Sequence, residues 1–106
     1  SYEMNPAAEM YSDQLPQPVG GYEALIDRVD YPSLALNAKV EGNVLAKITL
    51  DENGNVEDVQ LVKSIGAGCD ESVIKAIKDT KFIYPSNYEG STVLNQFNIM
   101  FRFSLK

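Results

Sequence analysis

The chain has 106 residues, of which 44% are hydrophobic and 23% charged, as expected of one folded domain with a single core. Its lack of histidine and its single cysteine exclude histidine-dependent catalytic triads, internal disulfides and zinc sites made of several cysteines. The net charge of −6 is concentrated in residues 1–30, which carry −5, so the rest of the chain offers no basic surface for nucleic acid or anionic lipid.

The N-terminal part of the chain predicts a loose segment followed by two short helices. Residues 1–19 contain three prolines and no sustained apolar period, and we expect an extended or flexible segment there, ahead of a domain spanning residues 20–106. Four apolar residues recur at the spacing of one helix face and predict the first helix, namely Tyr22, Leu25, Ile26 and Val29. Pro32 ends this helix and suits the first turn of a second one over residues 33–38.

A β-hairpin is predicted in the middle of the chain. Apolar and polar residues alternate over residues 44–50, which indicates a half-buried strand, and the Asn-Gly pair within residues 51–55 provides the positive φ of a tight turn. The return strand is expected over residues 56–65. A bulge near Glu57-Asp58 would bring Val56 into its alternation.

A longer helix and a long strand complete the predicted elements. The helix begins at Asp70, interpreted as its N-cap, and turns Val73, Ile74 and Ile77 inward. Apolar and mainly polar residues then alternate over residues 93–105 without a proline or glycine. At about 3.4 Å per residue, this last strand would be roughly 40 Å long.

Together the elements predict an α+β fold. A three-stranded antiparallel sheet of order 2-1-3 carries a covering helix, and two short helices precede it. The last strand then lies at an edge that no visible proline, lysine or bulge protects, so its unpaired N–H and C=O groups are ready to pair with another chain. The outward row of this strand is the predicted partner-binding site, made of Gln96, Asn98, Met100 and Arg102.

Several short motifs follow one another along the chain. They are Pro18-Val19-Gly20-Gly21-Tyr22-Glu23-Ala24-Leu25, Tyr31-Pro32-x-x-Ala35, Val40-Glu41-Gly42-Asn43-Val44, Asp51-x-x-Gly54-x-Val56-x-x-Val59, Gly68-Cys69-Asp70, Phe82-x-x-Pro85, Gly90-x-x-Val93 and Phe101-x-Phe103. As an ordered set they resemble the C-terminal domain of the TonB energy-transducer family, and the first resembles the lead-in helix of Bacteroidetes-type members. The resemblance covers about residues 16–105.

This resemblance implies a periplasmic domain that is anchored in the inner membrane through an N-terminal segment absent from this chain. Such a domain binds the Ton box, a short segment of an outer-membrane receptor, through its last strand. It also transfers energy from proton-driven inner-membrane motor proteins to the receptor for nutrient uptake. The resemblance also implies receptor contact just before Tyr-Pro, at Arg28, Val29 and Asp30. The Lys-Pro or Glu-Pro spacer typical of the transducer is missing from residues 1–19.

Two other functions stay open. The chain is alternatively a TonB-like interaction or self-assembly domain of another periplasmic or membrane-anchored protein, with edges that pair into a homodimer, or else a small enzyme or ligand-binding domain. No catalytic, cofactor-binding or metal-ligating residue is predicted, because Asp70-Glu71 is explained by helix capping and Cys69 by packing as a small apolar residue. Tyr84 and Tyr88 either form a partner surface or fold onto the sheet.

Overall fold

This computed structural model describes residues 2–3, 15–85 and 95–105. The helices and strands in chain order are β1 (Tyr2–Glu3), β2 (Gln17–Pro18), α1 (Gly21–Asp27), α2 (Ser33–Asn37), β3 (Gly42–Leu50), β4 (Val56–Lys63), α3 (Cys69–Lys78), β5 (Phe82–Ile83) and β6 (Gln96–Leu105). None of the helices in the described ranges has the length and apolar character needed to cross a membrane.

The two N-terminal helices form where the apolar spacing predicts them. Helix α1 buries Tyr22 and Leu25, and Val29 follows it into the core. Helix α2 begins after Pro32, whose backbone is extended, with ψ 146°. Its buried residue is Ala35, whereas the neighbouring Leu34 is 65% exposed.

The hairpin of β3 and β4 has a side-chain carboxylate at its turn. Asp51 Oδ1 accepts hydrogen bonds from the N–H groups of Asn53 and Asn55, each at 2.8 Å, and Gly54 adopts a φ of 85°. The Asn55 backbone bond is the largest cause of a lowered pKa at Asp51. The acid nearest the turn therefore stabilises the turn itself.

Two bulges interrupt β4. Thr49 pairs with Asp58 and Leu50 with Val56, so Glu57 is an additional residue, which confirms the predicted bulge. A second irregularity lies where Leu45 pairs with Lys63 and Ala46 pairs with Leu61, which leaves Val62 without a pair in the ladder. These two insertions explain why Val56 and Val62 do not fit a simple alternation.

Helix α3 begins differently from the prediction. Its N-cap is Gly68, with a φ of 84°, so the assignment of Asp70 as the N-cap is wrong. The Asp70 carboxylate instead accepts hydrogen bonds from the N–H groups of Ile65 and Gly66, both at 3.0 Å. Asp70 thereby fixes the loop between β4 and α3. An aspartate at the start of a helix can cap the helix or hold the preceding loop, and the sequence alone does not distinguish these two roles.

The strand order of the main sheet is β1-β6-β3-β4, and each neighbouring pair is antiparallel. The predicted order 2-1-3 is found as β4-β3-β6. Among the described residues, the sheet has four strands rather than the predicted three, because the two-residue β1 lies outside β6 and covers one end of the edge that the sequence predicts to be open. A second sheet pairs β2 with β5, so Gln17 and Pro18 lie against the domain. Helix α3 packs on β3 and β4, and one core forms between the helices and the sheet.

Candidate partner-binding edge

The side chains of β6 divide sharply between the core and the outer face of the sheet. Every second residue is buried, namely Phe97, Ile99, Phe101 and Phe103, and two of the rings meet Phe82 and Tyr31 edge to face. On the other face, Gln96, Asn98 and Arg102 are exposed and Met100 is half-buried. The four predicted strand residues therefore share one row on the outer face.

Alternate residues of β6 bond to β3, and this alternation, the hydrogen-bond phase of β6, determines which main-chain groups face the free edge of the sheet. Leu50 N–H donates to Asn95 C=O at 2.8 Å, which places these two residues in a hydrogen-bonded antiparallel pair. Hydrogen-bonded pairs alternate along a ladder, so the odd-numbered residues of β6 bond to β3. The N–H of Leu105, also odd-numbered, donates to the Glu41 carboxylate at 2.7 Å, beside the start of β3, in agreement with this phase.

The even-numbered residues of β6 consequently direct their N–H and C=O groups away from β3. Within the described ranges, the strand on that side is β1, which pairs with Leu105 and Ser104. On the side of β6 away from β3, residues 96–102 have no strand partner among the described residues, over a length of about 24 Å. The same four residues therefore place their side chains on the outer face of the sheet and direct their N–H and C=O groups toward its free edge.

The side chains opposite this row make it chemically mixed. Arg102 lies opposite Asn43, Met100 opposite Leu45, and Asn98 opposite Lys47 on β3. A shallow groove of about 440 Å³ runs over the end of the strand and is lined by Glu41, Gly42, Asn43, Met100, Arg102, Phe103 and Ser104. In the part of the chain that the structure describes, Arg102 forms no ion pair.

The opposite edge of the sheet is protected. Strand β4 is broken by the bulges at Glu57 and Val62, and it carries exposed charges at Glu57, Asp58 and Lys63. Bulges and charges are common ways to prevent an edge from pairing with another chain. By contrast, β6 pairs with β3 without a register shift from Gln96 to Phe103.

The second predicted contact region lies on the helical layer. Arg28 Nη1 donates to Thr80 Oγ1 at 3.2 Å, and Asp30 N–H donates to Ser72 Oγ at 2.8 Å. Val29 is 4% exposed and belongs to the core, so a partner would reach Arg28 and Asp30 but not the Val29 side chain.

Arg28 and Asp30 border a groove of about 370 Å³, whose other lining residues are Pro32, Gly68, Glu71, Ser72 and Lys75. Met100 and Arg102 border the groove at the end of β6. Two residues of each predicted set therefore line a groove, and the two grooves are separate, one on the helical layer and one on the sheet.

Comparison with known proteins assigns this architecture to a family. Residues 27–105 match the family described as Gram-negative bacterial TonB protein C-terminal. The chain belongs to the TonB C-terminal family.

The domain is 38% identical over 77 residues to protein TonB of Vibrio cholerae serotype O1, a match that covers 72% of this chain and 31% of that protein. The chain thus spans about a third of the length of this curated relative. Its fold is similar to the solution NMR structure of the Helicobacter pylori TonB C-terminal domain, with a TM-score of 0.57 and 25% identity over 79% of this chain and 88% of that one. The predicted family and fold class are both confirmed.

Two other residues considered from the sequence have packing roles in this TonB C-terminal domain. Cys69 is fully buried, and burial is the largest cause of a raised pKa of its thiol, to which the charges of Asp70 and Glu71 add. Tyr84 donates its hydroxyl to the carbonyl of Asp51 at 2.7 Å and so folds onto the hairpin. Tyr88 lies outside the described residues.

Sequence reasoning missed two features beside the candidate edge. Glu41 holds the end of β6 through the N–H of Leu105, and Tyr2–Glu3 adds a strand there. Both contacts join residues far apart in the chain. Neither contact leaves a local pattern in the sequence. A single acid before Gly42 shows no periodicity, and a strand of two residues is too short to show an alternation.

Proposed function

We propose that this domain is the receptor-binding and force-transmitting part of a TonB-type energy transducer. It acts without catalysis: the Ton box of an outer-membrane receptor pairs with β6 by strand addition, and the domain passes on energy derived from the proton-motive force for nutrient uptake. The observation that carries the proposal is the row of outward N–H and C=O groups at residues 96–102, beside a strand whose register is regular.

The proposal includes the cellular setting that family membership supports. The domain would work in the periplasm, tethered to the inner membrane through a segment upstream of this chain. That segment would join it to the proton-driven motor proteins. The match with one third of the length of protein TonB from Vibrio cholerae is consistent with a module of a longer transducer.

The two edges of the sheet differ enough to direct a guest strand to β6. A strand that added to β4 would meet the interruptions at Glu57 and Val62. A strand that added to β6 would meet evenly spaced groups, and its side chains on the outer face would lie beside Asn98, Met100 and Arg102. Main-chain bonds then supply affinity, and these side chains supply preference for the guest.

The geometry also sets the affinity to be expected. Residues 96, 98, 100 and 102 offer up to eight main-chain hydrogen bonds, each worth about 1 kcal/mol net. Ordering an extended peptide and restricting its motion removes a substantial part of this gain. The main-chain bonds alone therefore give a dissociation constant between about 1 μM and 1 mM, which suits a contact that forms and breaks repeatedly.

Arg28 and Asp30 are proposed as a second contact with the receptor, outside the paired strand. Both side chains are exposed. The Arg28 guanidinium donates to Thr80, just after α3, and the backbone of Asp30 is held by Ser72 on α3. A fixed, charged turn selects polar groups on a partner without needing to reorganise. The strand and the turn would thus contact different parts of one receptor.

The test is a titration of the isotopically labelled domain with synthetic Ton box peptides from receptors of the source organism. Amide shifts are expected along β6, and each peptide residue is then N-methylated in turn. N-methylation should weaken binding at every second peptide residue, because only alternate N–H groups face β6. A scrambled peptide is the control, and shifts confined to residues far from β6 would reject strand addition.

Self-assembly is the second candidate function, and the same free edge supports it. A second copy could pair its own β6 along residues 96–102, since no strand in the described part of the chain pairs with the side of these residues that faces away from β3. Sedimentation velocity at micromolar concentration separates the two functions. A tight dimer whose β6 amides resist exchange would replace the receptor-binding proposal.

A further inference from the structure

The candidate edge is partly occupied by the N-terminus of the chain. Tyr2 pairs with Leu105 and Glu3 with Ser104, in antiparallel orientation. Ser104 is even-numbered, so its N–H and C=O face outward like those of residue 102, and Glu3 and Ser104 form the hydrogen-bonded pair. The main-chain groups of Tyr2 in turn face away from β6.

We propose that β1 is a built-in competitor for the guest strand. This inference rests on the proposed function and concerns the regulation of the same edge. A guest that pairs with residues 96–102 leaves β1 in place, whereas a guest that extends to Ser104 must displace Glu3. The domain would therefore discriminate between short and long guest segments.

The weakness of β1 makes it displaceable. It consists of two residues and, by this phase, one hydrogen-bonded pair, and so short a strand has little stability of its own. Its attachment to the same chain gives it a high effective concentration at the edge, which compensates in part for its length. An internal strand of this kind reduces the affinity of a competing guest without closing the site.

The end of β6 is held independently of β1, so displacement leaves a formed edge. Phe103 pairs with Gly42, and the N–H of Leu105 donates to Glu41 on the β3 side. These contacts are unaffected when Glu3 leaves Ser104. The outward groups of Ser104 would then be presented to a guest in the position that Glu3 had occupied.

The experiment compares two proline variants of the full chain. In Glu3→Pro the donor to Ser104 is lost, whereas in Tyr2→Pro the lost N–H is one that faces away from β6. Glu3→Gln controls for the removed charge. Each variant is titrated with two synthetic Ton box peptides, a seven-residue one and one long enough to pass Ser104, and amide exchange at Ser104 is measured without peptide.

Glu3→Pro should accelerate exchange at Ser104 and tighten binding of the long peptide about three- to tenfold, as expected from the loss of one competing hydrogen bond. Binding of the short peptide should not change, and Tyr2→Pro and Glu3→Gln should behave as the native chain. Equal affinity of the long peptide for all four chains would overturn the competition and leave the proposed function intact. If no chain binds either peptide, both proposals fail.

A reversible lock gives a second test. The double variant Glu3→Cys, Ser104→Cys joins a hydrogen-bonded pair whose Cα atoms lie about 5.5 Å apart, within the range of a disulfide. Cys69 is fully buried and does not interfere. The oxidised form should bind the long peptide at least threefold more weakly than the reduced form, and equal affinities of the two forms would reject the competition.

Discussion

Replacement of Asn98 by proline tests the assigned direction of the main-chain groups of β6. Asn98 is even-numbered, so its N–H faces the free edge and makes no bond to β3. Proline removes this donor and is tolerated on an edge strand where the N–H faces solvent. Ile99, its neighbour, donates toward Ala46, so Ile99→Pro breaks the ladder that holds the sheet together.

The expected loss follows from the number of bonds affected. Asn98→Pro removes one main-chain bond worth about 1 kcal/mol and places the ring where the guest backbone must approach, for a total of about 1–2 kcal/mol. The dissociation constant of a Ton box peptide should therefore rise about 5- to 30-fold. The cost to folding should be small, whereas Ile99→Pro should cost about 3 kcal/mol or more.

Isothermal titration calorimetry measures the binding, and thermal unfolding followed by circular dichroism measures the folding. Asn98→Ala, which lacks the same side chain but keeps the N–H, is the matched control and should bind the peptide more tightly than Asn98→Pro. A folded Asn98→Pro domain that binds the peptide as tightly as Asn98→Ala would refute the assigned phase, the location of the guest, or both.

Three further predictions concern stability. Asp70→Ala should lower the unfolding free energy by about 1–3 kcal/mol in urea titrations, because two loop N–H groups lose their acceptor, whereas Glu71→Ala in the same helical turn should change it by less than about 0.5 kcal/mol. Gly54→Ala should cost more than about 2 kcal/mol, since the new Cβ would lie 2.0 Å from a β5 carbonyl, while Gly66→Ala, also at positive φ but in open space, should cost about 1 kcal/mol. The turn N–H groups lower the pKa of Asp51, so the stability that its charge provides is present above its ordinary pKa and should be lost as the pH falls through the lowered value. A profile of melting temperature against pH should therefore fall between about pH 6 and 2, and Asp51→Asn should make this part of the profile flatter.

The elements that the sequence predicts well are those with a local period. Val44, Ile48, Ile99 and Phe101 fall on strict alternations, and each is fully buried. Burial of one face of a strand leaves this signature whatever the partner strand is. The bulge at Glu57 was predictable for the same reason, because Val56 would otherwise fall on the wrong face.

The features that the sequence does not predict depend on distant partners. The pairs between β2 and β5 and between β1 and β6 involve two residues each, too few for any period to be visible. Asp70 accepts from loop N–H groups whose positions are set by the packing of α3. At the candidate site, alternation predicts the outward side chains, but the outward main-chain groups follow only from the bond between Leu50 and Asn95.

The same bond pattern bears on how a domain of this kind could carry load. A guest strand pulled along its axis would load its hydrogen bonds together, at up to four outward residues of β6. Strand β6 is joined to β3 by five alternate hydrogen-bonded pairs, from Gly42–Phe103 to Leu50–Asn95, and by the buried side chains on its inner face. The guest junction has fewer bonds and no buried core beneath it. Under increasing load it should therefore separate before the sheet does, so that the domain releases its guest folded and able to bind again.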